Sequence, residues 1–213
     1  METQSLSKHN QYFILTNDRK IRVALKAKLE ASCEGNMNTK IIEELGITHG
    51  AARVDIAVVN GVIHGYELKS DMDTLNRLPG QIKIYNSVLD QVTLVVGKNH
   101  LYKAIKIVPE WWGITIAKII DSNDTVSFYN IREPEQNPDQ DSAAIAALLW
   151  RAEALSILEQ IGQARGVRSK PRKDIYKRLA EVLNKQDLGA AVREQLRTRI
   201  NWRSGLSCMP SGD

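Results

Sequence analysis

The sequence predicts an α/β protein, a mixed sheet flanked by helices with a helical region at its C-terminal end. Three observations predict it. Residues 53–59, Arg-Val-Asp-Ile-Ala-Val-Val, and the run that begins at Val62 are rich in β-branched residues and joined by Asn60-Gly61, a strong short hairpin signal. Further short apolar runs follow at 92–96, 114–120 and 126–131, with helical patterns between some of them. Beyond residue 142 the pattern changes to long alanine- and leucine-rich stretches.

The elements follow in order. Over 37–46, Met37, Ile41, Ile42 and Leu45 form one stripe at 100° per residue, which suggests a helix with Glu44 on its flank and Glu43 facing solvent. The hairpin comes next, with strands at 53–59 and 62–68. Side chains alternate across a strand, so Glu67 and Lys69 share a face and Leu68 takes the other. Past Lys69, Asp73 could cap a short helix interrupted by Pro79-Gly80, and a second helix over 81–90 places Gln81, Ile84, Tyr85 and Val88 on one face. Trp111 and Trp112, beside Pro109, anchor a turn rather than stack on bases. Glu133, Pro134, Glu135, Gln136, Asn137 and Pro138 break the apolar period. The expected division is therefore an α/β domain over 1–132, a linker over 133–142 and a basic helical subdomain over 143–213. That subdomain reads as helices at 143–161, stopped by Gly162, at 173–184 and at 188–200.

Charge is distributed unevenly. The chain carries 29 Lys and Arg against 25 Asp and Glu, a net +4. Residues 146–204 hold 13 basic and 6 acidic side chains, or +7, which leaves −3 for the remainder. Arg165, Arg168, Lys170, Arg172, Lys173, Lys177 and Arg178 crowd around Pro171. Such a patch attracts phosphate by counterion release, although a solubilising face partly neutralised by Glu159, Asp174 and Glu181 is the competing reading.

Several classes drop out. No run is long enough to span a bilayer, and the start lacks the pattern of an export signal, so no membrane association and a cytoplasmic location are expected. Cys33 and Cys208 lack paired spacing, and His9, His49, His64 and His100 lack ligand spacing. His64, on the strand face opposite Glu67, reads as structural. Gly61 and Gly65 do not form a nucleotide-cradling loop.

What remains is charge inside an apolar hairpin. Asp55, eleven intervening residues, then Glu67-Leu68-Lys69 lie among Val54, Ile56, Val58, Val59 and Ile63, where a solvated edge pair would be out of place. Carboxylates there suit a hard divalent cation such as Mg2+ or Mn2+, and an ammonium beside a scissile phosphate suits phosphodiester hydrolysis.

Those residues resemble the PD-(D/E)XK nuclease superfamily. Their flanks, Arg53-Val54-Asp55, Tyr66-Glu67-Leu68-Lys69-Ser70, Asp73-Thr74-Leu75, Arg77-Leu78-Pro79-Gly80-Gln81 and Tyr85, are similar to the sce7726 family of bacterial and phage proteins. The similarity continues through Val108-Pro109-Glu110-Trp111-Trp112-Gly113 and Val167-Arg168-Ser169-Lys170-Pro171-Arg172. The resemblance implies a restriction-endonuclease-like fold and the chemistry of a metal-dependent nuclease; the expected substrate is nucleic acid, DNA ahead of RNA. It further implies a carboxylate on the helix before the hairpin, for which Glu44 is the candidate. Asp55, Glu67 and Glu44 would hold Mg2+ or Mn2+, Lys69 would assist the nucleophile, and Gln81 would orient these groups or the water. Tyr85 would bond a phosphate or pack beneath the site, and Arg77 would clamp a phosphate or pair with Asp71 or Asp73. Arg168, Lys170, Arg172 and Lys173 would form an auxiliary nucleic-acid grip. A silent nuclease-fold protein that binds nucleic acid or recruits another enzyme is the alternative, as is an effector that needs a partner. A homodimer and a neighbouring protein partner both stay open.

Overall fold

The computed structural model describes residues 14–119 and 125–199. Its centre is a six-stranded mixed sheet in sequential order: β1 (Lys40–Ile47), β2 (Ala52–Val59), β3 (Ile63–Lys69), β4 (Gln91–Gly97), β5 (Gly113–Ile119) and β6 (Val126–Arg132). β1 to β3 form an antiparallel meander, β3, β4 and β5 run parallel, and β6 returns antiparallel. The α/β class and the C-terminal helices are as the sequence predicts. Ile120, Ile200, His9 and Cys208 lie outside the described residues.

One face of the sheet is covered by α1 (Asp18–Ser32), a helix the strand and turn patterns did not announce. Asn17 caps it by accepting from Lys20 N–H at 3.0 Å, and Ile21 and Leu25 pack on Ile56, Leu68, Val95 and Ala117. The other face is covered by α2 (Leu78–Asn86), α3 (Leu101–Ile107), α4 (Ser142–Ala146), α5 (Arg151–Gln160), α6 (Arg172–Val182) and α7 (Lys185–Thr198). Trp112 is fully buried and donates to Asn86 Oδ1 at 2.9 Å, so it anchors its turn as expected.

Several elements differ from expectation. Residues 40–47 are a strand, not part of a helix, because Ile41, Ile42, Leu45 and Ile47 satisfy a pairing with β2 that a helix stripe cannot offer. The hairpin turn is held by the Asn60 side chain, which accepts from Val62 N–H at 3.1 Å, and Gly61 does not take a positive φ. Pro79 and Gly80 do not interrupt a helix but open α2, where a missing N–H costs nothing. Asp73 instead closes the preceding turn by accepting from Ser70 N–H at 2.7 Å and Ser70 Oγ at 2.6 Å.

The stretch 133–142 has neither helix nor strand over most of its length, yet it is clasped to the sheet domain. Asn137 is buried and donates to the Asn86 and Leu89 carbonyls at 2.7 and 2.8 Å. Helices α4 to α7 share one hydrophobic cluster with β1, β2, β4 and α2. The long helix expected over 143–161 is broken at 147–150, and the break is stabilised. Glu153 accepts from Trp150 N–H at 2.7 Å, while Tyr176 and Arg199 each donate at 2.8 Å to the Leu149 and Leu148 carbonyls. Gly162, with φ of 70°, ends α5 as expected. Among the described residues no helix is long and apolar enough to cross a membrane.

Candidate active site

The site begins with an irregularity shared by two strands. Ile42 and Leu45 lie three apart on β1 yet face the same core, and so do Val54 and Ala57 on β2. Three residues along a regular strand reverse the face, so both strands change phase. The change occurs on one rung. Glu43 pairs with Ile56 and Leu45 with Val54, which sets Glu44 opposite Asp55 between them. Glu44 takes the phase change as a left-handed residue with φ of 54°.

At that rung β2 also parts from β3, since the last pair of their ladder is Ile56 with Tyr66. The Asp55 side chain spans the gap, and its Oδ2 accepts from Leu68 N–H at 2.7 Å. Its Oδ1 faces Arg22 Nη2 at 2.7 Å. Glu67 and Lys69 point the same way from β3 and form a buried ion pair, with side-chain exposures of 2% and 6%. Helix α2 completes the shell. Gln81 Nε2 donates to Glu67 Oε1 at 2.6 Å, and the Tyr85 hydroxyl lies 2.6 Å from Glu67 Oε2.

Burial pushes the Glu67 carboxyl above its ordinary range, the Asp55 charge adds to this, and Lys69 opposes it. Hydrogen-bond counting agrees. The Tyr85 hydroxyl has one proton and sits against two acceptors, Glu67 Oε2 and the Arg53 carbonyl. A proton on Glu67 satisfies both contacts. Burial likewise raises the Tyr85 hydroxyl far above the usual phenol range.

Asp55, Glu67, Lys69, Gln81 and Glu44 all line one cavity of about 840 Å³, with Arg77 exposed at its rim. Arg77 makes no ion pair among the described residues, and the acids it was expected to meet are occupied: Asp71 by Thr16 and the Asn99 N–H, Asp73 by Ser70. Three placements correct or narrow expectation. Glu44 arrives from strand β1, so the helix before the hairpin is α1, and the α1 carboxylate that lines the cavity is Asp18. Tyr85 is fully buried behind Glu67, so it packs beneath the site and does not reach a phosphate. Glu43 meets Lys26 rather than solvent alone.

Arg22 is the site residue that sequence reasoning missed. Its signal was Ile21, Leu25 and Leu29 at helical spacing behind Asn17, with Asp18 four residues before Arg22. In the C-terminal region Arg168, Lys170, Arg172 and Lys173 are exposed, and Arg168 pairs with Glu159 at 3.0 Å. His64 lies on the opposite face of β3 from Glu67, stacked on Tyr66 with ring centroids 4.2 Å apart.

Gln81 Oε1 is buried with no hydrogen-bond partner, an oxygen donor left open beside Glu67. Among the described residues no group of three or more His, Cys, Asp or Glu side chains is gathered closely enough to hold a metal ion. The carboxylates are instead met by cations of the chain, Asp55 and Glu44 by Arg22 and Glu67 by Lys69.

Comparison with known proteins places the chain. A protein of unknown function from Silicibacter pomeroyi aligns over 72% of this chain and 93% of its own, at 17% identity and a TM-score of 0.37. Protein cII of Enterobacteria phage P4 is 29% identical over 122 residues, which are 57% of this chain and 46% of that protein, so the aligned stretch spans less than half of the relative's length. The family described as Bacteriophage P4 protein cII matches residues 14–206, most of the chain including the whole cavity and the C-terminal helices. The chain belongs to the Bacteriophage P4 protein cII family.

Proposed function

We propose that the chain is a metal-dependent nuclease that hydrolyses phosphodiester bonds, with DNA as substrate. The observation that carries this reading is the convergence of Asp55, Glu67 and Lys69 on one cavity where β2 leaves β3. The donor set fits Mg2+ or Mn2+, since Asp55, Glu67 and the unpartnered Gln81 Oε1 are hard oxygen ligands. Asp55 and Glu67 would hold the ion with waters filling the remaining positions, and Glu44 would join them on release from Arg22. Such an ion supplies Lewis-acid polarisation of the phosphate and lowers the pKa of a bound water.

The chain's own groups do the rest. Lys69, fixed by Glu67, orients the attacking water and offsets charge that develops on the phosphoryl oxygens. Gln81 and Tyr85 fix the Glu67 rotamer from behind, and Arg77 at the rim takes a flanking phosphate. Arg168, Lys170, Arg172 and Lys173 add a sequence-independent grip. Such an enzyme would work in the cytoplasm, as a homodimer or with a neighbouring protein. The resemblance to PD-(D/E)XK nucleases supports the same reading.

A second reading is favoured by one observation: every carboxylate that would bind metal is already neutralised by the chain's own cations. Under it the protein binds nucleic acid, or recruits an enzyme, with the site silent. The test is cleavage of supercoiled, linear and single-stranded DNA and of RNA with Mg2+, Mn2+ or EDTA, comparing wild type with Lys69→Ala. Metal-dependent cutting that disappears in the variant supports the nuclease. Retained DNA binding with no cutting by either protein favours the silent site.

A further inference from the structure

Arg22 stands between two carboxylates from different strands. Its Nη2 lies 2.7 Å from Asp55 Oδ1, and its Nη1 lies 3.0 Å from both the Asp55 carbonyl and Glu44 Oε1. Asp18, one turn earlier on α1, accepts from Nε and Nη2 at 3.3 Å each. The Arg22 and Asp55 side chains are only 20% and 18% exposed and both line the cavity, so this is a half-buried contact in its wall rather than a loose surface pair.

The decisive detail is which Asp55 oxygen is left. Oδ2 already accepts Leu68 N–H at 2.7 Å, which leaves Oδ1 as the oxygen without a backbone donor, and Arg22 occupies it. Any ion that takes Oδ1 competes with the guanidinium directly. Glu44 and Asp18 are 49% and 45% exposed, so both meet solvent, and Asp18, one turn away on the same helix, remains within reach after Asp55 is surrendered.

We propose that Arg22 is the resident counter-cation of the Asp55–Glu44 pair, and that a divalent cation binds by displacing it onto its Asp18 tether. The inference rests on the metal-dependent reading above. It makes Arg22 a built-in competitor that sets the cation concentration at which the site opens.

The experiment is Mn2+ binding to the full chain, followed by electron paramagnetic resonance and calorimetry, for wild type, Arg22→Gln, Arg22→Lys and Asp55→Ala. Arg22→Gln keeps hydrogen-bonding capacity without charge and should bind Mn2+ on the order of tenfold more tightly. Arg22→Lys should stay near wild type, and Asp55→Ala should lose the site. The thermal stabilisation that Mn2+ gives should also be larger in Arg22→Gln, a gain that a merely structural role would not produce. Equal or weaker binding in Arg22→Gln, with loss in Asp55→Ala, overturns the role of Arg22 and leaves the cation site standing. Binding indifferent to Asp55→Ala, or absent from every protein, overturns both.

Discussion

Asp55 Oδ2 accepts the Leu68 backbone N–H at 2.7 Å, so a side chain bridges two strands where their ladder has ended. The carboxylate is therefore structural as well as a candidate for function. Asp55→Ala should lose cleavage and also destabilise the fold by about 1–3 kcal/mol, because it strands the Leu68 donor and removes one carboxylate from Arg22. Asp55→Asn keeps an acceptor for Leu68 and should cost less. Urea unfolding of the three proteins checks the order; equal stability would show that the bridge contributes nothing.

Tyr85→Phe leaves Glu67 Oε2 and the Arg53 carbonyl without the shared hydroxyl. The expected loss is about 1–2 kcal/mol of stability, with kcat lowered and KM for DNA nearly unchanged. A rise in KM alone would mean that Tyr85 meets substrate.

Gly65 sits where β3 passes under α2 and its following turn. An added Cβ would lie 2.6 Å from Leu89 Cδ1 and 3.1 Å from Val54 Cγ1. Gly65→Ala should cost about 1–3 kcal/mol by overpacking, and Leu89→Ala in the same chain should recover part of that clash. Full stability of Gly65→Ala in denaturant would show that the sheet yields.

His64 has a pH consequence. Burial holds its pKa down to about 4, against an ordinary value of 6.5. Between those values the unfolded chain binds a proton that the folded chain does not, so stability falls as pH drops from 6.5 to 4 and levels off below. Tyr66 and Thr93 contact the ring, and Lys28, Arg132 and Glu133 line the same cavity of about 250 Å³. His64→Gln should flatten the acid limb by on the order of 2 kcal/mol. Chemical denaturation at a series of pH values reads this directly, and an unchanged limb would place the titration elsewhere.

Reversing Arg168, Lys170 and Arg172 to Glu should weaken DNA binding and reduce its salt slope by roughly 0.9 for each phosphate no longer neutralised. Lys170 and Arg172 should matter more, since Arg168 is already paired with Glu159 at 3.0 Å. An unchanged slope would remove the C-terminal helices from the binding surface.

Glu67 and Lys69 were legible in the sequence because a strand's period of two puts them on one face, and Asp55 because its apolar flanks said that the strand carrying it was buried. Gln81 was legible by the same argument at helical spacing. Glu44 was misplaced for a physical reason: its left-handed backbone shifts the phase of β1, so Ile41, Ile42 and Leu45 mimic a helix stripe. Arg22 was invisible because its meaning lies in contacts to a strand 33 residues away, and no local period encodes them. The break at 147–150 was hidden likewise. Alanine and leucine favour continuing the helix, and what stops it is a carboxylate, a phenol and a guanidinium brought from three helices' ends and faces.

Both broad faces of the central strands are roofed by helices, so most side chains there that obey strict alternation enter one core or the other. The shared fault at rung 44/55 opens a third direction, edgewise, where charge leaves the hydrophobic layers without emptying either. Two neighbouring strands must carry that fault together, since a shift in one alone would slide its apolar residues off their partners. The open cavity of this fold thus sits on a matched pair of irregularities, one contributed by each strand of the rung.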